Sequence, residues 1–144
     1  MAPEADTLLE GLKEETGLYR KLLSVSSDEL RLVKDAELEK ATSLISEKQT
    51  ILDSIAVIEQ RIKPSKERWP EIKASLPAAR QAEFQAALKD LSDVLERLIA
   101  LERETEDTLS GQIRTIKGAG RRMPAGSTEE QARRAYGAQK EAKR

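Results

Sequence analysis

The 144-residue chain contains no histidine and no cysteine. Without imidazole or thiol groups it cannot form Ser/His or Cys/His catalytic pairs, the common zinc sites, or disulfides. Aromatic residues make up only 3% of the chain, so the core must be built from Leu, Ile, Val and Ala. These absences remove the usual catalytic and metal-binding chemistry. We therefore predict a protein that is not an enzyme, with no catalytic residues, no metal site and no cofactor.

Long apolar runs are also missing. The longest is about five residues, far below the roughly 20 that a helix needs to cross a bilayer, and residues 1–6 contain neither a basic start nor an apolar signal segment. We expect a cytoplasmic protein without stable membrane insertion.

Charge is abundant but unevenly distributed. Asp, Glu, Lys and Arg make up 35% of the chain, with a net charge of -1, whereas residues 118–144 carry seven Lys or Arg against three Glu. The basic pairs Arg121-Arg122 and Arg133-Arg134 could contact phosphates, but a slightly acidic chain with one tyrosine in its tail is a poor nucleic-acid binder. We predict no nucleic-acid partner and interpret the tail as solvated or protein-binding.

Two series of apolar residues at three- and four-residue steps dominate the chain, one from Leu30 to Ile62 and one from Phe84 to Ile116. This spacing places side chains on one side of an α-helix. The second series comprises Phe84, Leu88, Leu91, Leu95, Leu98, Leu101, Thr105, Leu109, Ile113 and Ile116. Such surfaces bind other helices, so the pattern indicates an interaction protein.

The predicted fold is all-α, an elongated antiparallel bundle of three or four helices, two of them long and coiled-coil-like. A first helix of about 18 residues begins at the Thr7 capping box. The segment 24–29 either ends it or is a polar bend within one very long helix, and we favour near-continuity. Prolines make 63–79 the turn between the long helices, with room for a short helix at 71–76. The domain spans 1–117 and a flexible basic tail spans 118–144, with a candidate short helix.

Several polar or aromatic residues are interpreted as structural. Lys48 lies within the first apolar series, where its stem can pack while its amine reaches water. The carboxylate pairs Glu14-Glu15, Glu102/Glu106 and Glu129-Glu130 are expected on solvated faces. Trp69, the single tryptophan, is expected to cover the open end of the bundle.

The first sixty residues resemble the FlgN family of flagellar export chaperones. The resemblance rests on Leu8-Leu9-x-x-Leu12-x-x-Glu15-x-x-x-Tyr19-x-x-Leu22-Leu23, then Glu29-Leu30-x-Leu32-Val33-Lys34-Asp35, then Lys48-x-x-Ile51-Leu52-x-x-Ile55 and Glu59-Gln60-Arg61. It covers about two fifths of the chain. It implies a small helical cytoplasmic chaperone that keeps hook-filament junction (hook-associated) proteins unassembled and delivers them to the flagellar type III export gate.

The same resemblance implies that the C-terminal segment helps to grip the cargo and that Tyr136 docks on the cytoplasmic domain of the export gate. From the apolar pattern itself we expect Leu109, Ile113 and Ile116 to form the end of a cargo groove, because the turn and a short first helix would not cover them. Met123 begins the segment that closes over the cargo helix. The expected state is a monomer or weak homodimer. The alternative is a structural coiled-coil adaptor that dimerises permanently through the same apolar stripes.

Overall fold

The computed structural model describes residues 3–118, and their side chains as far as Arg114. Four helices occupy almost all of this range: α1 (Pro3–Lys34), α2 (Leu38–Glu67), α3 (Trp69–Ser75) and α4 (Ala78–Gly118). No strand occurs within these residues. The prediction of an all-α, elongated antiparallel bundle is confirmed, with three long helices and one short one. The predicted tail beyond Gly118 lies outside the described residues.

Helix α1 is longer than expected, because it passes without interruption through the polar segment 24–29. Ser26 and Glu29 are both fully buried there. Their side chains bind across the bundle instead of capping a new helix. The favoured expectation of near-continuity through this segment is confirmed, and the alternative that the first helix ends here is wrong.

The break between α1 and α2 comes later, at residues 35–37. Ala36 adopts a φ of 58°, and Glu37 N donates to Leu32 O at 2.9 Å while Ala36 N donates to Val33 O at 3.0 Å. These two bonds and the left-handed residue make a Schellman motif, which satisfies the last carbonyls of a helix. Alanine stands where glycine is usual, so the turn carries no sequence signal and the predicted continuous rod from Leu30 to Ile62 is wrong.

The proline-containing segment is also more helical than expected. Helix α2 contains Pro64 and continues to Glu67, and only Arg68 separates it from α3. The missing proline N–H costs one intrahelical bond close to the helix end. The expected turn over 63–79 therefore shrinks to two short connections around a short helix.

Helix α1 lies at the centre of the bundle and packs closely against both α2 and α4, while the backbones of α2 and α4 stay farther apart. An ion pair between Asp6 and Arg80 joins the starts of α1 and α4, and Gln112 Nε2 donates to Val33 O near their ends. Helix α4 therefore runs parallel to α1, and α2 runs antiparallel to both. The second apolar series lies on α4 as predicted, with Glu96 and Arg97 on its exposed side.

Candidate functional site

A layer of buried polar side chains crosses the bundle and joins all three long helices. Lys48 Nζ of α2 lies 2.8 Å from Glu29 Oε1 of α1 and 2.6 Å from Glu102 Oε1 of α4. Ser26 Oγ donates to the same Glu102 oxygen at 2.7 Å. The side chains of Lys48 and Glu29 are completely buried, and that of Glu102 is 16% exposed. We call Ser26, Glu29, Lys48 and Glu102 the polar layer.

The polar layer corrects the interpretation of two charged positions. The Lys48 amine does not reach water, and Glu102 is not a solvated surface carboxylate. Burying a charge costs several kcal/mol unless an opposite charge and hydrogen bonds compensate for the lost water. Here one ammonium group lies between two carboxylates from different helices. These groups come from three helices, so the polar layer joins α1, α2 and α4 at one level of the bundle.

The polar layer also lies between two separate apolar clusters. The larger, which we call the proximal cluster, contains buried residues from all four helices: Ala5, Leu8, Leu9, Leu12, Ile58, Ile62, Ile72, Leu76, Phe84, Ala87 and Leu91. The smaller, the distal cluster, buries Val33, Ala41, Leu109 and Ile113 among the described side chains. Since the backbone of α1 runs from the proximal cluster through Ser26 and Glu29 to Val33, the core is divided along its length.

The predicted cargo residues fall on the distal cluster. Leu109 is 5% exposed and Ile113 is 2% exposed, with the end of α1 and the start of α2 packed over them. The expectation that this end of the apolar series lies uncovered is therefore wrong, because α1 reaches Lys34. The side chain of Ile116 and the whole of Met123 and Tyr136 lie outside the described residues. The cargo role of Leu109, Ile113, Ile116 and Met123 and the gate-docking role of Tyr136 stay predictions.

A second buried charged group lies between α1 and α2. Glu15 is only 2% exposed, so the expectation that it belongs to a solvated face is wrong. Burial, followed by a hydrogen bond to Glu59 and repulsion from its charge, raises the pKa of Glu15 to about 8. The pKa of Glu59 is lowered by the hydrogen bond from Glu15 and by Lys66, whose Nζ lies 3.0 Å from its carboxylate. The two acids therefore share one proton, held by Glu15.

The aromatic residues meet at the end of the bundle near α3. The rings of Trp69 and Phe84 lie 4.9 Å apart at 36°, and Trp69 packs against the proximal cluster, as expected for a residue that covers this end. A half-open cavity of about 190 Å³ lies beside them, lined by Leu8, Leu12, Lys66, Trp69, Phe84 and Leu88. Its walls are apolar, with a single amine.

Sequence reasoning missed the polar layer and the acid pair, although a signal was present. Two charged residues occupy positions at which the helical spacing calls for an apolar side chain. Lys48 lies between Ile45 and Ile51, and Glu15 lies between Leu12 and Tyr19. Spacing alone gave no means of pairing them. Their partners come from other helices, and those pairings depend on the Ala36 turn.

Comparison of the chain with protein-family models, with characterised proteins and with solved structures finds no match. Within residues 3–118, no group of acidic side chains is arranged to hold a metal ion. None of the helices in that range carries an apolar stretch that could cross a membrane.

Proposed function

We propose that the chain is a non-enzymatic export chaperone of the FlgN type, which binds hook-filament junction proteins in the cytoplasm and delivers them to the flagellar export gate. The family resemblance supplies the cargo class. The observation that carries the proposal is the division of the core, because it leaves a smaller distal cluster that can open while the proximal cluster stays packed. A chaperone needs such a releasable apolar surface.

Opening of the distal end is the first step of the proposed mechanism. Among the described side chains, the distal cluster buries Val33, Ala41, Leu109 and Ile113, and Leu32, Leu38 and Ile45 pack partly buried against them. Segments with few buried apolar contacts open at a lower free energy than the global unfolding of a domain. The last turns of α4 separate from α1 and α2, and the polar layer limits how far the separation travels. The apolar side chains on both sides then become available.

In the second step, a cargo helix replaces the contacts that the chain's own helices make in the distal cluster. An amphipathic cargo helix packs its apolar face against Leu109 and Ile113, and the segment from Met123 closes over it. Because opening costs free energy, the apparent affinity is lower than the contact area alone would give, and the cargo can be released at the gate. Tyr136 is the proposed anchor on the gate.

The adaptor alternative uses the same apolar stripes for permanent dimerisation. Within one chain those stripes already pack against each other, as the burial of Leu91, Leu98 and Ile113 shows. A permanent dimer would have to exchange these contacts. The chaperone proposal requires only the distal end to open, so it is favoured.

Two glutamines provide a matched test. Gln112 Nε2 donates to the carbonyl of Val33 and ties the distal end of α4 to α1. Gln81 Nε2 donates to the carbonyl of Leu76 at 3.0 Å at the opposite end of α4. Removing either bond costs about 1 kcal/mol. Gln112→Ala should ease distal opening and tighten binding of a purified hook-filament junction protein by up to about fivefold in calorimetric titration, whereas Gln81→Ala should leave the affinity unchanged.

Absence of any binding to the junction protein would disprove the chaperone proposal itself. Equal effects of Gln112→Ala and Gln81→Ala would leave the chaperone role intact and disprove distal opening.

A further inference from the structure

We infer that Glu15 and Glu59 form a proton-dependent clasp between α1 and α2, which loosens this helix pair as the pH rises through neutrality. The inference does not depend on the cargo, and it concerns residues outside the polar layer and the distal cluster. It rests on the burial of Glu15, the closeness of the two helices at this level, and the charges that surround the pair.

The two helices lie close together one turn away from Glu15. Gly11 lies one turn before Glu15 on α1, and a Cβ atom added there would lie only 2.2 Å from Cγ2 of Ile62 on α2. Ile62 is itself fully buried. This close approach leaves little room for water to enter next to the Glu15 carboxyl group. A proton bound between the two acids therefore replaces the missing solvent.

The surrounding charges do not compensate for a second negative charge. On α2, Lys66 is the cation that faces the pair, and it already binds Glu59 at 3.0 Å with both side chains 41% exposed. On α1, burial raises the pKa of Tyr19, and the nearby charge of Glu15 raises it further. A groove beside Thr16 is lined by Lys13 and Arg20 from α1 and by Glu83 and Asp90 from α4. It therefore presents as many anions as cations on that side.

Loss of the shared proton would leave two carboxylates facing each other across a tight helix interface. Oε2 of Glu15 is buried and has no hydrogen-bond partner among residues 3–118, so ionisation of Glu15 would leave this oxygen without water or a donor. The energetically accessible response is a local separation of α1 from α2 that admits water.

The direction of the pH effect follows from linkage. The folded-state pKa of Glu15, about 8, lies above the model value of 4.5, so between these values the folded chain binds more protons than the unfolded chain. The contribution of Glu15 to stability is highest at pH values up to the ordinary glutamate pKa of 4.5. It falls as the pH rises and levels off above the folded-state pKa. The lowered pKa of Glu59 changes stability only at pH values below the usual range of a glutamate pKa. The raised pKa of Tyr19 changes stability only in more alkaline solution.

The experiment compares urea unfolding of the full chain with that of Glu15→Gln across the same pH range. The folding equilibrium constant of the wild type should fall roughly 100- to 1,000-fold between about pH 5 and pH 8.5, and that of Glu15→Gln should stay nearly constant. Glu14→Gln is the matched control, because Glu14 is the next residue, 52% exposed and paired with Arg61. It should keep the wild-type slope.

Two further measurements separate a clasp from a merely structural carboxylate. Carbon-13 NMR of the glutamate carboxyl groups should show Glu15 titrating near 8, and a midpoint near its usual value would overturn the proposal. Hydrogen exchange, corrected for the intrinsic effect of pH, should accelerate more in residues 8–19 and 55–66 than in 84–98. Equal acceleration everywhere would mean that no local clasp exists.

A second variant keeps the test decisive if Glu15→Gln does not fold. Glu59→Gln removes the repelling charge and places an amide donor beside Glu15. The pH dependence should then become shallower, because the pKa of Glu15 falls. An undiminished slope in Glu59→Gln would also overturn the clasp.

Discussion

Replacing Lys48 by methionine should destabilise the fold strongly, although the two side chains have similar length. Lys48 Nζ lies 2.8 Å from Glu29 Oε1 and 2.6 Å from Glu102 Oε1. Its loss removes the ammonium group that lies between these two carboxylates. Removing one partner of a buried ion pair typically costs about 3 to 5 kcal/mol. That is a large fraction of the roughly 5 to 15 kcal/mol by which such domains are stable.

The assay is urea unfolding followed by far-ultraviolet circular dichroism at neutral pH, together with a thermal melt. At about 3 to 6 °C per kcal/mol for a domain of this size, the melting temperature should fall by roughly 10 to 25 °C. A lysine whose stem packs while its amine reaches water would lose less than about 1 kcal/mol. A loss that small would refute the buried polar layer.

A triple variant distinguishes the cost of unpaired charge from loss of packing. When Lys48→Met is combined with Glu29→Leu and Glu102→Leu, no charge remains to be desolvated, and exchanges of this type are neutral or stabilising by about 1 to 4 kcal/mol. The Ser26 hydroxyl can then bond to a carbonyl of its own helix. If the triple variant were as unstable as the single one, packing and not charge would be the cause. Under the proposed function it should also join the two apolar clusters and weaken cargo binding.

Three exchanges of glycine or alanine test the backbone geometry by the same unfolding assay. Gly11→Ala should cost about 1 to 3 kcal/mol, because its Cβ would meet Cγ2 of Ile62 at 2.2 Å. Gly111→Ala, where no described atom lies within 4 Å of the added Cβ, should be stabilising by about 0.4 to 1 kcal/mol; equal changes would contradict the close approach of α1 and α2. Ala36→Gly should stabilise by about 1 kcal/mol, because the φ of 58° strains an L-residue; a loss of stability would show that the α1–α2 turn is wrong.

The main course of the fold follows from the sequence because apolar periodicity reports burial directly. Most of the series on α4 was placed correctly, since Phe84, Leu91, Leu98 and Ile113 are buried, but Leu88 is 41% exposed. The helix breaks were placed less well. The expected turn from residue 63 placed the helix end at Ile62, five residues before α2 stops at Glu67, and the true break after Lys34 contains neither glycine nor proline. A sequence marks a helix break when glycine or proline occurs there. At the α1–α2 turn an alanine adopts the left-handed conformation that glycine usually takes, so the sequence does not mark the break.

The charged sites could not be derived from the sequence because their energetics are set by partners on other helices. Lys48 in an apolar stripe is compatible with an amine that reaches water and with one held by two carboxylates. The choice depends on which residues of α1 and α4 lie at the same level. That level is set by the turn at residues 35–37, so an error at this turn moved every pairing between α1 and α2.

Helix α1 carries two buried glutamates that behave differently because of the charges opposite them. Glu15 and Glu29 are fourteen residues apart, just under four helical turns, or about 21 Å along the same side. Glu29 faces the ammonium group of Lys48 at 2.8 Å, so its site keeps its alignment as long as both charges are present. Glu15 faces another acid, so its site depends on a proton that mildly alkaline solution removes. One end of the α1–α2 interface is therefore fixed by opposite charges, while the other can respond to pH without disturbing the register of the bundle.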